Sequence, residues 1–201
     1  QDFGEIHTPI DDMVFAADAA LYTEGETALG VFTLRKGMVK LVRATADGRE
    51  RIVRVLRPGD VIGLEALATA RYDSEAIPLV EAQVCRIPLA VLHHLSANSP
   101  RLHKRLMQKW QQALKDADDW LADLNFGSAR QRVAALALKM RDPDQPGITS
   151  FFARDDMGAM LDIKLETVSR EISALVRDGA LRSCDKQGRR YEILDERLLT
   201  S

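Results

Sequence analysis

One long helix, predicted between Pro100 and Gly127, separates this sequence into two parts of different character. Proline is well tolerated in the first turn of a helix and glycine commonly follows the last turn, so these residues mark its ends. Apolar residues recur along it at alternating spacings of four and three, which gives a narrow heptad-like stripe on a charged surface. The stripe consists of Leu106, Trp110, Ala113, Ala117, Trp120 and Leu124. We predict that it forms a dimer interface, since small alanines let two helix axes approach; packing on the chain's own first domain is the alternative.

The part before the helix, residues 1–98, has the pattern of short strands joined by turns. Apolar residues alternate along the predicted strands, and Asp47-Gly48 suits a hairpin turn because glycine tolerates positive φ. The alternating pairs are Val39 with Leu41, and Val53 with Val55. A last strand is expected to end near Pro88 and to lead into a short helix. Several short strands with such turns predict an all-β sandwich or barrel.

The part after the helix, residues 127–201, predicts two short amphipathic helices around a tight turn, followed by a strand, a turn and a strand. The second of these helices has an inward apolar stripe at helical spacing. The stripe contains Leu165, Val168, Ile172, Leu175 and Val176, and the polar face contains Glu166, Ser169, Arg170 and Ser173. A helix-turn-helix uses this division, because polar residues of the N-terminal turns of its second helix enter the major groove. A helical hairpin with a solvated polar face is the alternative.

Three local features fit this interpretation. Gly158 suits the point where two helices cross sharply, because a residue without a Cβ is needed there. Asp162 in the turn is one of the few non-glycine residues that tolerate a left-handed conformation. The hairpin that follows, with Lys186, Arg189 and Arg190 at its tip, is predicted to be a basic wing that meets phosphates.

Composition limits the classes of function. The net charge is −2, and residues 1–125 carry 15 basic and 18 acidic side chains against 13 and 12 in residues 126–201, so any nucleic-acid binding depends on where the charges lie. No apolar run approaches the ~20 residues of a membrane helix. Cys85 and Cys184 have no metal-like spacing, so we expect a cytoplasmic protein. No catalytic triad, metal cluster or phosphate loop indicates an enzyme.

The sequence resembles the CRP/FNR family of bacterial transcription regulators over nearly its whole length. Three motifs carry the resemblance: LYTEGE at residues 21–26, RPGDVIGLEAL at residues 57–67, and LETVSREI at residues 165–172. The FNR branch has Glu-x-x-Ser-Arg in its recognition helix, whereas the cyclic-AMP receptor branch has an additional arginine where Leu165 stands here. The resemblance therefore implies an α+β protein of the FNR-like branch. Its parts are a jelly-roll β-roll like a cyclic-nucleotide-binding domain at 1–98, a dimerisation helix at 99–126, and a winged helix-turn-helix at 127–201.

The resemblance also implies a DNA target and partners. The target is an inverted repeat of a TTGAT-type half-site, bound by a homodimer that acts with RNA polymerase. Arg170 can donate two hydrogen bonds to guanine, Glu166 can accept one from the amino group of cytosine, and Ser169 can approach a base edge. Contacts with phosphate are expected from the family-matched positions and the wing, which together are Arg154, Lys164, Thr167, Arg189 and Arg190. Lys164 departs from the Ser or Thr usual at a helix N-cap, because lysine cannot accept from the free amides there.

The motifs of the β-roll indicate mainly which effectors it is not expected to bind. Cyclic-nucleotide binders of the family have Gly-Glu-Leu and an arginine for the phosphate, but here Glu65 comes one place late and Glu75 and Ala76 stand near the arginine position. We expect no cyclic AMP. Cys85 matches one of four cluster ligands of FNR, so an iron–sulfur cluster is not expected. A haem bound at His93 or His94 is a less favoured possibility. The alternative function is therefore a sensor module whose primary ligand is haem or a small molecule.

Overall fold

The computed structural model describes residues 11–44, 50–142 and 144–200. The chain forms two compact units, residues 1–117 and 118–201, and the boundary falls within the long helix. The domain limits predicted from sequence instead treated that helix as a separate segment. Over the described ranges, no helix combines the length and the apolar character needed to cross a membrane.

The N-terminal unit consists of antiparallel strands followed by helices. The strands are β1 Asp11–Phe15, β2 Gly30–Lys36, β3 Val39–Ala44, β4 Glu50–Leu56, β5 Val61–Ile62, β6 Glu75–Pro78 and β7 Ala82–Pro88. The helices are α1 Ala66–Thr69, α2 Leu89–Asn98 and α3 Pro100–Leu124, of which α3 continues into the second unit. One sheet has the order β1-β7-β2-β5 and the other has the order β4-β3-β6. The predicted ends of the last strand and of the long helix are confirmed to within two residues.

The two sheets enclose one apolar core. β2, β5 and β7 contribute Phe32, Leu34, Ile62 and Val84 from one side, and β3, β4 and β6 contribute Val39, Leu41, Leu56 and Ala76 from the other. Alternation of apolar and polar residues along half-buried strands produces this arrangement, because successive side chains point to opposite faces. The all-β prediction for the first part is therefore confirmed.

The register of β3 on β4 corrects one detail of the predicted alternation. Leu41 pairs with Arg54 and Val42 pairs with Ile52, so Val53 is the extra residue of a β-bulge. As a result Val53 is exposed while Val55 is buried, although the two were expected to share a face. The predicted turn at Asp47-Gly48 lies outside the described residues.

The C-terminal unit contains the predicted helices and hairpin. Its elements are α4 Ala129–Lys139, β8 Ile148–Ser150, α5 Arg154–Leu161, α6 Leu165–Arg177, β9 Leu181–Ser183, β10 Arg190–Ile193 and α7 Arg197–Thr200. The small sheet has the order β8-β10-β9. α6 packs against both α4 and α5. A capping box starts α4, where the Ser128 hydroxyl accepts from the Gln131 amide and the Gln131 side chain accepts from the Ser128 amide.

The turn between α5 and α6 has the features that the sequence predicted. Asp162 is left-handed with φ 52°, and its amide closes the end of α5 on the Gly158 carbonyl. A Cβ on Gly158 would lie 2.7 Å from the carbonyl oxygen of Ile163, which is closer than such atoms approach. Glycine is therefore needed because the turn backbone passes over α5, and this turn fixes the direction in which α6 starts.

Candidate nucleic-acid interface

The buried face of α6 fixes which of its residues reach solvent. Val168, Ile172 and Leu175 are buried, which confirms the centre of the predicted stripe. Leu165 and Val176 are exposed, which corrects the prediction for both. At 100° per residue these two lie at one edge of the stripe, more than 50° from its centre, so the neighbouring helices do not cover them.

The polar face of α6 opens to solvent at its first two turns. Glu166 is exposed, and the Arg170 side chain is 70% exposed. Ser169 and Thr167 are half-buried. The Ser173 hydroxyl donates to the Ser169 carbonyl at 2.9 Å, so it is used within the helix. Glu166 and Arg170, one turn apart, are the exposed polar pair of this face.

Arg170 has a partner that the sequence interpretation did not include. Its Nε and Nη2 both lie 3.2 Å from Oε1 of Glu171. The Glu171 side chain is only 16% exposed, so the carboxylate lies against the helix surface while the arginine extends beyond it. The signal available in the sequence was an acidic residue directly after the arginine of the recognition motif.

The start of α6 matches the expectation for Lys164. Lys164 occupies the N-cap and makes no side-chain capping hydrogen bond. Its carbonyl accepts from the amides of Thr167 and Val168, and its side chain is exposed. This position suits a phosphate, because the Lys164 ammonium group and the free amides of the helix N-terminus both favour an anion.

The wing is a tight hairpin shaped by one carboxylate. Asp185 accepts from the backbone amides of Arg189 at 3.0 Å and Arg190 at 2.9 Å. These bonds, that from Arg189 first, lower the pKa of the exposed Asp185 carboxyl. Lys186, Arg189 and Arg190 are all exposed, as the wing prediction requires. Nη2 of Arg190 also donates to the Gln145 side chain at 2.9 Å.

Arg154 contacts the wing of its own chain. It is half-buried, and its guanidinium donates to the Gly188 carbonyl and the Tyr191 hydroxyl of the wing. These contacts direct the side chain toward the wing, and phosphate binding by Arg154 stays a prediction. The aromatic rings of Phe151 and Tyr191 beside it hold the group in this direction.

The predicted stripe on α3 is partly used within the chain. Ala113 packs against the apolar cluster of Val31, Leu64 and Leu92, and Leu124 is 2% exposed. Trp120 is half-buried beneath the ammonium group of Lys139, 5.7 Å from its ring centre. Leu106, Trp110 and Ala117 are half-buried. Half-buried Ala113 and buried Leu124 therefore have contacts within the chain, and their place in a dimer interface stays a prediction.

Another set of apolar residues on α3 is exposed. Met107, Leu114 and Leu121 are 46%, 62% and 60% exposed and follow one another at intervals of seven residues. Residues seven apart lie almost on the same side of a helix, so these three form one row. The sequence pattern did not separate this row from the adjacent stripe, since both satisfy heptad spacing.

Residues 63–78 include the positions at which the sequence departs from the cyclic-nucleotide binders of the family. In residues 63–78 the basic side chain is Arg71, and it donates to the Gly25 carbonyl at 2.6 Å. Oε1 of Glu65 is buried without a hydrogen-bond partner, and burial raises the pKa of this carboxyl. Ala76 is buried, and its amide is bonded to the Tyr22 carbonyl. A phosphate placed beside Glu65 would meet a desolvated carboxyl group, on which the charge of Arg54 also acts.

The residues considered for metal or haem are separate in the structure. Cys85 is buried in β7, Cys184 is exposed in the wing, and His93 and His94 are exposed at α2. Among the described residues, no three His, Cys, Asp or Glu side chains form a group that could hold a metal ion. The described residues alone therefore do not supply the four ligands that an iron–sulfur cluster takes.

Comparisons with known proteins identify relatives of the whole chain. The profile of the cyclic nucleotide-binding domain family matches residues 12–99, and that of the Crp-like helix-turn-helix domain family matches residues 131–201. The transcriptional activator protein FnrA of Stutzerimonas stutzeri is 27% identical over 181 residues, which cover 87% of this chain and 73% of that protein. The anaerobic regulatory protein of Pasteurella multocida is 27% identical over 167 residues, 80% of this chain and 61% of that protein, so the chain spans less than two thirds of that relative.

A solved structure extends the similarity to the fold. The structure of FixK2 from Bradyrhizobium japonicum is similar with a TM-score of 0.85 at 26% identity, and the match covers 96% of each chain. The order of a two-sheet β domain, a long helix and a helix-turn-helix with a wing agrees with both matched domain families. The chain belongs to the CRP/FNR family of bacterial transcription regulators.

Proposed function

We propose that this protein is a homodimeric transcription regulator that reads a TTGAT-type inverted repeat with the first turns of α6. The observation that carries the proposal is the division of α6, which buries Val168, Ile172 and Leu175 and exposes Glu166 and Arg170. A helix that packs against neighbouring helices with one face can place its opposite face in the major groove. The protein acts on DNA in the bacterial cytoplasm, together with RNA polymerase, and is not an enzyme.

Base reading is assigned to two residues one turn apart. Arg170 donates to N7 and O6 of guanine, and Glu166 accepts from N4 of a cytosine. Ser169, half-buried beside them, approaches a base edge or a thymine methyl group. Each good pair contributes ~1–3 kcal/mol of discrimination against a wrong base. Lys164, Thr167, Arg189 and Arg190 meet phosphates and fix the register.

Dimerisation is assigned to the exposed row on α3, Met107, Leu114 and Leu121. Two half-sites in inverted repeat require two reading helices related by a two-fold axis, which one chain does not supply. The row consists of large apolar side chains on a helix whose remaining surface is mostly charged. Pairing the same row from two copies removes this apolar surface from water.

The β-roll is proposed to bind no cyclic nucleotide, no haem and no iron–sulfur cluster. The misfit of Glu65, Glu75 and Ala76 to a cyclic phosphate supports the first statement. The separation of Cys85 from other metal-binding side chains among the described residues supports the others. An absorbance spectrum of freshly purified protein tests the cofactors, because a Soret or iron–sulfur band would contradict the proposal.

DNA binding is tested by fluorescence anisotropy with a TTGATNNNNATCAA duplex and a scrambled duplex of the same composition. We expect preference for the palindrome, and Arg170→Ala to weaken specific binding by about tenfold or more. Arg177→Ala is the matched control, since it removes one exposed arginine from the last turn of the same helix. It should leave the base preference unchanged. Equal binding of both duplexes, or an unaltered guanine preference in Arg170→Ala, would contradict the assignment.

A further inference from the structure

We propose that Arg154 is a positioning residue that holds the wing in place for DNA. The inference rests on the proposed function, because it assigns the wing arginines to phosphate contact. Arg154 is the first residue of α5, whereas the groups it contacts lie in and beside the hairpin formed by β9 and β10.

The hydrogen bonds of Arg154 lead to two points of the wing. Its Nη2 lies 2.6 Å from the Gly188 carbonyl oxygen and 3.1 Å from the Tyr191 hydroxyl oxygen. One guanidinium nitrogen carries two hydrogens, so both donors of Nη2 are used. Nη1 points to the sulfur of Met157 at 3.3 Å. Nη2 is thus fully used by the wing in the absence of DNA, whereas these contacts do not use Nε or the second hydrogen of Nη1.

The aromatic side chains around Arg154 add to its fixation. The guanidinium carbon lies 5.5 Å from the ring centre of Phe151 and 6.0 Å from that of Tyr191. Both rings are buried, and they contact each other with centres 5.4 Å apart. A planar cation stacks on such rings better than an ammonium group does. The site therefore requires the shape of arginine as well as its charge.

The carbonyl that Arg154 binds is in the turn that presents the wing cations. Gly188 immediately precedes Arg189 and Arg190 and has φ 64°, a left-handed conformation that favours glycine. A Cβ there would lie 3.3 Å from the Tyr191 hydroxyl oxygen. The Arg189 carbonyl is bound in turn by the Phe151 amide at 2.6 Å. Two consecutive carbonyls of the turn are therefore held by residues just before and at the start of α5.

This anchoring has a consequence for affinity. A hairpin with exposed arginines would otherwise lose conformational freedom when it contacts phosphate, which reduces affinity. A wing held by Arg154 has already lost that freedom in the free protein. Arg154 thus strengthens DNA binding through the wing residues Arg189 and Arg190.

The test compares Arg154→Lys with Arg154→Met in the full chain, each alone and combined with the wing variant Arg189→Ala/Arg190→Ala. Lysine retains the charge and can bind phosphate, but it lacks the planar fork that reaches Gly188 and Tyr191 together. We expect both single variants to weaken binding to the TTGATNNNNATCAA duplex by about three- to tenfold. In the wing variant, the same substitutions should change affinity by less than about twofold, because coupled residues are not additive.

Hydrogen exchange of the free protein supplies an independent measurement. Amides of the wing hairpin should exchange faster in Arg154→Lys, while those of α6 keep wild-type protection. The proposal is overturned if Arg154→Lys binds DNA with wild-type affinity. It is also overturned if Arg154→Lys lowers the affinity of the wing variant as much as it lowers that of the wild type. Either result indicates that Arg154 binds phosphate directly and does not act through the wing. Unchanged wing exchange, or lost protection throughout the C-terminal unit, also overturns it. If the wild-type protein shows no preference for the palindrome, the proposed function fails, and the exchange measurement still decides the role of Arg154.

Discussion

Both Nε and Nη2 of Arg170 donate to a single carboxylate oxygen of Glu171, each at 3.2 Å. A guanidinium has two edges that can form paired hydrogen bonds, and Glu171 occupies the edge formed by Nε and Nη2. This contact does not use the end formed by Nη1 and the second hydrogen of Nη2, and the Arg170 side chain is 70% exposed. In the proposed complex that end donates to N7 and O6 of a guanine, and Glu171 selects the direction of the guanidinium.

Glu171→Gln is expected to reduce specificity while it raises non-specific affinity. Loss of the carboxylate frees Arg170 to adopt other rotamers, and it also removes a negative charge near the DNA phosphates. The ratio of affinities for the palindrome and the scrambled duplex should fall about two- to fivefold, as for the loss of one exposed ion pair. Anisotropy titrations at a fixed salt concentration measure the ratio.

Asp155→Asn is the matched control for this experiment. Asp155 is exposed in the first turn of α5, so the change removes one negative charge from the same unit without altering Arg170. It should raise affinity for both duplexes equally. A specificity ratio that is unchanged in Glu171→Gln would mean that Glu171 does not orient Arg170, and a ratio higher than that of the wild type would mean that it competes with guanine.

Leu114→Glu is expected to convert the proposed dimer to a monomer and to weaken binding to the palindrome. The side chain is 62% exposed at the middle of the row formed with Met107 and Leu121, so a charge there opposes pairing with a second copy. Gln108→Glu introduces the same charge about 120° around the helix and serves as the control. Sedimentation velocity measures the association state. Dimers of unchanged stability in Leu114→Glu would place the interface elsewhere.

The sequence predicted the helices and the turn of the C-terminal unit better than it predicted which side chains are exposed and what they contact. Helical spacing placed α6 and its buried centre, and the local chemistry of Gly158 and Asp162 placed the turn, because these signals depend on residues close in the chain. The direction of Arg154 depends on Gly188 and Tyr191, which are distant in sequence, so spacing gave no information about it. The partners of a long side chain are set by tertiary packing rather than by local pattern.

The long helix shows the same limit in another form. Heptad spacing identified that α3 has an apolar side, but two adjacent rows satisfy the pattern. Only the fold shows that Ala113 lies on the cluster of Val31 and Leu64 while Leu114, the next residue, is exposed. In the β domain, the bulge at Val53 likewise depends on the register with β3 and is not visible in the alternation of β4 itself.

Gly158→Ala is expected to destabilise the C-terminal unit, although alanine favours helices more than glycine by ~1 kcal/mol. The added Cβ would lie 2.7 Å from the Ile163 carbonyl oxygen, a backbone atom of the turn that does not move independently. Overpacking of this kind costs ~1–3 kcal/mol. Gly147→Ala is the control, since a Cβ there meets nothing within 4 Å. Urea unfolding monitored by circular dichroism measures both, and a Gly158→Ala protein as stable as wild type would contradict the close approach.

Glu65→Gln is expected to stabilise the β domain in a pH-dependent way. Desolvation by burial raises the pKa of Glu65 above its ordinary value, so folding favours the protonated form of this carboxyl. Below the pKa that Glu65 has in the unfolded chain, the side chain is neutral and its burial is tolerated. Stability is lost as pH rises through the pKa that Glu65 has in the folded protein. Glutamine stays uncharged at every pH. The substitution should raise the melting temperature at pH 7 on the order of a few degrees, and the difference should vanish near pH 4.

The control for this prediction is Glu50→Gln, which changes an exposed glutamate at the start of β4. It removes the same charge from the same unit without relieving burial, so its effect on the melting temperature should be small at both pH values. Scanning calorimetry of the three proteins at both pH values separates the two cases. A melting temperature for Glu65→Gln that is lower than that of the wild type at pH 7 would show that the carboxylate is stabilised in the fold. Arg54, whose charge acts on Glu65, would then be the cation to test.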